Sequence, residues 1–174
     1  MRLVLIAALV ALTVTGCGAD TEKTPAPAAP GTGEGLTASG FGPYRIGQTR
    51  DELIGAELVG ALKTDEAGCA TGTGTGSALP QKPKLRFADG RLVQIEVTTP
   101  GAATDAGLAV GAELADVTAR YPDGRIIFGR PGAAWEVTDG TNALLVKVTG
   151  DNVTGLVGGV AASVEKRHRT ESGC

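Results

Sequence analysis

The sequence has few of the side chains on which enzymes and nucleic-acid-binding proteins commonly depend. It contains one histidine, His168, in the charged segment 165–169, and six aromatic residues, of which Trp135 is the only tryptophan. Histidine-based triads and zinc sites need an orienting partner or further ligands, and neither G-x-S-x-G nor H-E-x-x-H occurs. We therefore expect that the protein is not an enzyme, that it has no cofactor or metal, and that His168 is exposed to solvent.

Positive charge is not in excess either. The chain carries 16 Lys and Arg against 19 Asp and Glu, a net charge of −3, and removal of a leader containing Arg2 would make it −4. A chain with net negative charge neither attracts the phosphate backbone of nucleic acids nor adheres by charge to anionic lipids. We expect no nucleic-acid partner, and attachment to a membrane must depend on another feature.

No apolar run reaches the length of a membrane-spanning helix. Residues 3–14 are apolar, follow the basic Arg2 and precede Thr15-Gly16-Cys17. A run of that length is typical of the core of a signal peptide. Residues 14–17 resemble a bacterial lipobox, in which the cysteine receives diacylglycerol and becomes the mature N-terminus. The resemblance implies a lipoprotein signal peptide over residues 1–16 and lipidation of Cys17. Secretion with a free Cys17, or an uncleaved segment, are the alternatives.

Residues 17–39 contain almost no large apolar side chain. The run ADTEKTPAPAAPGTGEG within them is rich in Pro, Ala, Gly and Thr. Such a segment cannot bury enough apolar surface to order itself. We expect a flexible, lipid-anchored linker that holds a folded domain, residues 40–174, off the extracytoplasmic face of the cell membrane.

Cysteine is scarce, with three residues in the chain. If Cys17 is lipidated, Cys69 and Cys174 are left as a pair in an oxidising compartment, where disulfides persist. Closing so long a loop would stabilise the fold by about 4–5 kcal/mol on the chain-entropy model. The sequence therefore predicts a Cys69–Cys174 disulfide, and two free thiols are the alternative.

The clearest folded element is residues 84–98, KLRFADGRLVQIEVT. Two runs of alternating apolar residues flank Ala88-Asp89-Gly90, a pattern typical of a β-hairpin. A two-residue loop would mix the faces of the two strands. We predict instead a three-residue loop with a left-handed Gly90, and Glu96 on the solvent side. This register places five apolar residues on one face: Leu85, Phe87, Val93, Ile95 and Val97.

Helical patterns precede this hairpin and follow it. Residues 49–52, TRDE, form a capping-box sequence before apolar positions at helical spacing as far as Leu62. A second helix has an apolar stripe from Leu114 to Tyr121 and ends at Pro122. Strands are expected at residues 125–128 and 135–137. A second hairpin joins residues 144–148 to 153–160, with Val153 and Val157 on the same face as Leu144, Val146 and Val148.

The order turn, helix, strands and hairpin occurs twice. Residues 42–47 and 106–111 share glycines and apolar positions and lie sixty-four residues apart. We predict one small α+β domain of two tandem helix-plus-antiparallel-strand modules, at about residues 40–99 and 100–174.

This module, with an apolar-x-apolar-Gly turn such as Leu108-Ala-Val-Gly111 before a helix and antiparallel strands, resembles a known repeat. It is similar to the repeat of β-lactamase-inhibitory proteins and of SmpA/OmlA-type envelope lipoproteins. With Tyr121-Pro122 and the terminal Glu171-Ser-Gly-Cys174, the chain also resembles uncharacterised bacterial secreted lipoproteins of similar size. The resemblance covers about residues 40–174 and implies the tandem α/β fold.

Two other features of the sequence invite a functional interpretation. The glycine-rich run at residues 72–76 lacks both the G-x-G-x-x-G spacing and the Gly-Lys-Ser/Thr of phosphate-binding loops, so we expect a flexible surface loop. Four aspartates lie beside Gly or Asn at predicted turns, where their side chains bond their own backbone: Asp89, Asp123, Asp139 and Asp151. Trp135 is either a core anchor or a contact for a partner.

These observations favour a membrane-anchored extracytoplasmic lipoprotein with a non-catalytic binding domain. The expected partner is a protein or another component of the cell envelope. A lipoprotein that binds a small ligand, and an enzyme of unrecognised class, are the alternatives. A cleft that gathers acidic side chains or His168 would favour the enzyme, and a closed apolar pocket would favour the small ligand.

Overall fold

The structure, a computed structural model, describes residues 35–77, 79 and 81–174. Within these residues the chain forms ten strands and three helices. The strands are β1 (Gly40–Phe41), β2 (Tyr44–Arg45), β3 (Lys63–Thr64), β4 (Ala70–Thr73), β5 (Lys84–Ala88), β6 (Arg91–Val97), β7 (Arg125–Gly129), β8 (Gly132–Asp139), β9 (Asn142–Thr149) and β10 (Asn152–Val160). The helices are α1 (Arg50–Gly55), α2 (Leu114–Arg120) and α3 (Ala161–Thr170). The predicted signal peptide and most of the predicted linker lie outside the described residues.

The fold is mostly β, so the prediction of an α+β domain of tandem helix-plus-strand modules is wrong. Strands β3 to β10 form one antiparallel sheet in the order β3-β4-β5-β6-β10-β9-β8-β7. The three helices have only 6, 7 and 10 residues. The predicted capping box at Thr49 and Glu52 does open α1, but Glu57 then takes a φ of +57° and turns the chain back. Val59 bridges Gly74 beside the sheet instead of extending the helix.

The central hairpin joins β5 to β6 through a two-residue loop, and the predicted three-residue loop is wrong. Ala88 pairs with Arg91, and the loop residues Asp89 and Gly90 have φ values of +50° and +72°, as a type I′ turn requires. A β-bulge at Val93 follows the loop. Its extra residue restores the alternation that a two-residue loop alone would break. Five side chains are therefore buried together: Leu85, Phe87, Leu92, Ile95 and Val97.

A bulge also decides the faces of the second hairpin. Strands β9 and β10 are joined by Gly150-Asp151, and their register shifts between Val153 and Gly155. Val153 and Leu156 consequently pack in the larger core, whereas Val157 lies on the other face of the sheet with Leu145. The prediction that Val157 shares a face with Val153 is wrong for this reason.

The larger core covers one face of the sheet. Side chains from α1, α2 and the β1–β2 hairpin pack on it, including Leu53, Val117 and Tyr44. Leu36, in the segment that the sequence assigns to the linker, is also fully buried in this core. Its backbone N–H donates to the carbonyl of Ala103 at 2.9 Å. Residues 35–39 therefore pack as part of the folded domain.

The two related turns make equivalent backbone hydrogen bonds. The N–H of Gly47 donates to the carbonyl of Leu92, and the N–H of Gly111 donates to that of Val153, both at 2.8 Å. The first residue of α1 and of α2 also donates to a carbonyl in the loop of a hairpin, at 2.7 and 2.8 Å. Gly47 and Gly111 have φ values of +92° and +100°, which explains why both turns need glycine. Each short helix thus begins against a hairpin loop.

Helix α3 lies on the opposite face of the sheet, where the sequence analysis predicts only a charged tail. It packs against β6, β7, β9 and β10. A smaller apolar cluster lies beneath it: Ile127, Ala134, Ala143, Leu145, Val157 and Val164. The helix can approach closely because β7 ends at Gly129, where a Cβ atom would collide with the carbonyl of His168. Val164 and His168, four residues apart, are the sequence signal for the buried side of this helix.

Candidate functional site

The predicted disulfide between Cys69 and Cys174 is confirmed. Their Cα atoms are 5.6 Å apart, inside the usual range of about 4.4–6.8 Å. The Asp65 side chain orders the turn before Cys69, because its carboxylate accepts the N–H groups of Ala67 and Cys69 at 3.0 and 2.9 Å. The disulfide therefore ties the chain end that follows α3 to the start of β4.

The lipidation site predicted at Cys17 lies outside the described residues and stays a prediction. The same holds for the cleavage of residues 1–16 that would expose it.

A concave site lined by several charged side chains lies where α3 crosses the sheet. The cleft between them has a volume of about 200 Å³. Its walls combine side chains from β5, β6, β9 and α3 and from the residues just after α3. The charged ones are Lys84, Arg86, Glu96, Lys147, Arg167 and Glu171. Four basic groups against two acidic groups make the cleft positive on a chain whose net charge is −3.

Glu96 lies inside this cleft, and the prediction that it faces solvent is wrong. Its side chain is 11% exposed, and one carboxylate oxygen accepts a hydrogen bond from Arg86 at 3.1 Å while the other accepts one from Lys147. Burial raises the pKa of Glu96, but attraction to Lys147 and Arg86 outweighs burial and holds the pKa below its ordinary value. Glu96 is thus a fixed internal anion between two cations.

His168 also lines the cleft, and the prediction that it is solvated is wrong. The side chain is buried, because α3 presses it against the hairpin that joins β7 to β8. Neither ring nitrogen makes a hydrogen bond of good geometry. Burial lowers the pKa of His168, and the charge of Lys147 lowers the pKa further, but the backbone of Ile127 and of Gly132 lies close enough to raise the pKa of the ring in part. The ring is consequently neutral near pH 7.

The cleft brings Glu96 and His168 to one place, as an acid–base enzyme would require. The carboxylate of Glu96 is nevertheless held by two cations, and a low pKa makes it a poor proton acceptor. The hydroxyl of Ser163, buried on α3, accepts a hydrogen bond from the Gln94 amide at 2.9 Å. In the part of the chain that the structure describes, no cluster of three or more His, Cys, Asp or Glu side chains could hold a metal ion. This arrangement is better suited to binding a charged group than to transferring a proton.

A second buried carboxylate, that of Glu136 on β8, lies on the same face outside the cleft. Its side chain is fully buried, with one oxygen 2.5 Å from the guanidinium of Arg125. Arg125 also pairs with Glu165 of α3 at 3.1 Å. Burial raises the pKa of Glu136, and the neighbouring charge of Glu165 raises it further, so the attraction of Arg125 does not compensate. Glu136 is therefore unlike Glu96, whose cations more than offset its burial.

Strand β7 carries the most exposed large apolar side chains of the described residues. Phe128 is 72% exposed and Ile126 is 51% exposed, whereas Ile127 between them is buried under α3. The strand pairs with β8 on one side and is the last strand of the sheet. Among the described residues no strand covers its outer edge. Sequence alternation could identify the strand but not its position at the edge.

An apolar depression of about 80 Å³ adjoins Ile126. Trp135, Leu114 and Val148 are among the side chains that line it. Trp135 packs against the larger core and donates its indole N–H to the carbonyl of Tyr121 at 2.9 Å. It is therefore anchored in the core, the first of the two alternatives, and it also forms one side of a surface depression.

The remaining features predicted from the sequence are structural. Asp89 and Asp151 lie in the two hairpin loops, as expected of turn residues. The glycine-rich run is not a flexible surface loop throughout, because Gly72 and Gly74 are buried and Gly72 lies in β4. The N–H of Gly76 donates to the hydroxyl of Tyr44 at 3.0 Å. The run is thus held against the core.

No protein-family model, curated protein or solved structure matches the chain significantly. The resemblance to β-lactamase-inhibitory proteins and envelope lipoproteins stays a prediction. In the residues that the structure describes, no helix combines the length and the apolar character needed to cross a membrane.

Proposed function

We propose that this chain is a lipoprotein of the extracytoplasmic membrane face whose folded domain binds another protein through the outer edge of β7. The observation that carries the proposal is the exposure of Phe128 and Ile126 on an edge strand. An edge strand with exposed large apolar side chains invites pairing with other chains, and proteins usually cover or charge such edges. A partner that adds a strand there would bury both side chains.

The occupant is an extended segment of a partner protein, with apolar side chains at alternate positions. Two exposed side chains on a five-residue strand supply little area beside the roughly 800 Å² per partner that stable globular interfaces bury. Strand addition needs less area because main-chain hydrogen bonds supply part of the affinity. One side chain of the segment would enter the depression beside Ile126. Exposed Arg130 at the end of β7 favours an acidic residue in the segment nearby.

The extracytoplasmic location is supported by the disulfide. Structural disulfides persist in secreted and envelope proteins and are rare in reducing compartments. The Cys69–Cys174 bond is therefore consistent with export directed by the predicted signal peptide.

The binding surface is tested by photo-crosslinking in intact cells. A photoreactive residue in place of Ile126 should form an adduct with one other protein. The crosslinked peptide of that protein should be a segment with alternating apolar residues. Adding Phe128→Asp should lower the adduct yield by at least about tenfold, because loss of a central apolar contact typically costs about 2 kcal/mol or more of binding free energy, or about thirtyfold in affinity.

The control uses Ile54 on α1, the third exposed large apolar residue in the described part of the chain. A photoreactive residue there should form no comparable adduct, and Ile54→Asp should leave the adduct at position 126 unchanged. Three results would each contradict the proposal. These are no adduct at position 126, an adduct with the mass of two copies of this chain, and an adduct with residues 1–34 of the same chain.

The anchor is tested separately at Cys17. Cells fed a labelled fatty acid should label the protein, and Cys17→Ser should abolish the label because the cysteine sulfur is the atom that bonds to the diacylglycerol. The matched control is Cys69→Ser with Cys174→Ser, which should retain the label. Equal labelling of the Cys17→Ser protein would remove the lipid anchor from the proposal while leaving the crosslinking result unaffected.

A further inference from the structure

The cleft under α3 holds more positive charge than the protein neutralises. Glu96 already pairs with Arg86 and Lys147 at the inner end. Lys84 and Arg167 line the same cleft, and among the described residues neither forms an ion pair. Glu171 is the only other acidic side chain in the walls. A positive cleft on a negative chain attracts small anions and repels cations.

The walls of the cleft are also short of hydrogen-bond acceptors. The Nε–H group of Arg86 is buried without an acceptor. Buried polar groups in proteins are nearly always hydrogen-bonded, so an unpaired guanidinium N–H in the wall of a cleft is unusual. A group that brings acceptor oxygens into the cleft would supply the chemistry that its walls lack.

We propose that this cleft is a binding site for a small oxyanion, a carboxylate or phosphate group, held by Lys84, Arg167 and the donors that Lys147 does not use on Glu96. The volume of about 200 Å³ is below the roughly 300–1,000 Å³ of sites for drug-sized molecules, so the ligand is small. Arginine and lysine together are the usual partners of carboxylate and phosphate oxygens. Glu96 remains in place, because it is paired with Arg86 and Lys147, and Lys84 and Arg167 are left for the ligand.

His168 provides a direct reporter, since it is the only histidine in the chain. Its ring resonances can be followed by NMR while the purified full chain is titrated with inorganic phosphate or, in a second series, with succinate. Either anion should shift the ring signals in a saturable way and raise the pKa of His168, because a bound anion favours the imidazolium. The charged groups near the ring are Lys147 from β9, Glu96 from β6, Arg86 from β5, and Arg167 and Arg169 from α3 itself.

Variants of α3 separate a built site from general charge screening. Arg167→Gln should weaken anion binding about tenfold, as loss of a charge-assisted contact does. Lys166→Gln removes the same charge from the neighbouring residue, which does not line the cleft, and should leave the affinity unchanged. Lys84 lies on the sheet side of the cleft, and Lys84→Gln should weaken anion binding about as much as Arg167→Gln does. Chloride at matched ionic strength should give no saturable shift.

Two results would overturn the proposal. One is the absence of a saturable shift with both phosphate and succinate up to tens of millimolar. The other is an equal response in the Arg167→Gln and Lys166→Gln proteins, which indicates screening without a site. Saturation by phosphate alone identifies the ligand group as phosphate, and saturation by succinate alone identifies it as carboxylate. The outcome does not depend on the edge of β7, so it tests this site independently of the proposed protein-binding function.

Discussion

Replacing Cys69 and Cys174 together by alanine should lower the free energy of unfolding by about 4–5 kcal/mol on the chain-entropy model, and measured losses for small secreted domains are typically about 2–5 kcal/mol. The two cysteines are 105 residues apart in sequence, so the reduced unfolded chain regains most of its loop entropy. The comparison is made by chemical denaturation of the oxidised protein and the double variant, both carrying Cys17→Ser so that no other thiol interferes.

The same variant should loosen one region more than the others. The bond holds the chain end beyond α3, so amide hydrogen exchange should accelerate in the last turn of α3 and in the turn from Asp65 to Cys69. The exchange rates of amides in the central strands β6 and β10 should rise only by the amount that follows from the loss of global stability. A double variant with the denaturation midpoint of the oxidised protein would show that the bond does not hold the fold together.

The second large effect is expected at Glu96. Glu96→Gln should lower the free energy of unfolding by about 3–5 kcal/mol at neutral pH, because Arg86 would then be buried without a counter-charge. The Arg86 side chain is only 8% exposed, whereas Lys147 can turn towards solvent. Replacing both partners, Arg86→Met with Glu96→Leu, should recover most of the loss, since an apolar pair of similar volume needs no counter-charge.

The effect of Glu96→Gln should depend on pH. The pKa of Glu96 in the folded protein lies below its ordinary value of 4.5. Its ionised form therefore adds stability that is fully present above pH 4.5 and is lost as the pH falls through the folded pKa. The gap between the two proteins, measured by denaturant unfolding from neutral pH downwards, should close in acid. The control Asp51→Asn removes an exposed ion pair and should change stability by about 0–1 kcal/mol.

The local elements of this fold can be predicted from short stretches of sequence, but their register cannot. Alternating apolar residues around Asp89-Gly90 predict the central hairpin because both strands need one apolar face. The bulge at Val93 could not be predicted, because it depends on two requirements at once. The apolar side chains of β6 must face the larger core, and the strand must also begin at a two-residue type I′ turn. Those two demands conflict over a seven-residue strand, and an extra residue resolves the conflict.

The candidate sites were predicted only in part for a related reason. The Cys69–Cys174 pair can be inferred because lipidation of Cys17 would leave two cysteines in an oxidising compartment. The cleft could not be inferred, because Glu96 is polar on a strand whose other face is apolar, and alternation then predicts solvent. The exposure of Phe128 could not be inferred either, since an apolar residue in a strand is expected to be buried unless the strand is known to be an edge.

The sequence by itself determined the disulfide pair, the two hairpins, the capped start of α1 and the related glycine turns at Gly47 and Gly111. Each of these depends on neighbouring residues or on the chemistry of a single residue type. Only the tertiary structure decided that α3 lies across the second face of the sheet, because the helix also packs on β6 and β7, which are distant from it in sequence. Once α3 covers that face, Glu96 and His168 are removed from solvent, and Glu96, Arg86 and Lys147 interact at short range in a poorly hydrated cleft, which makes a polar surface a candidate site.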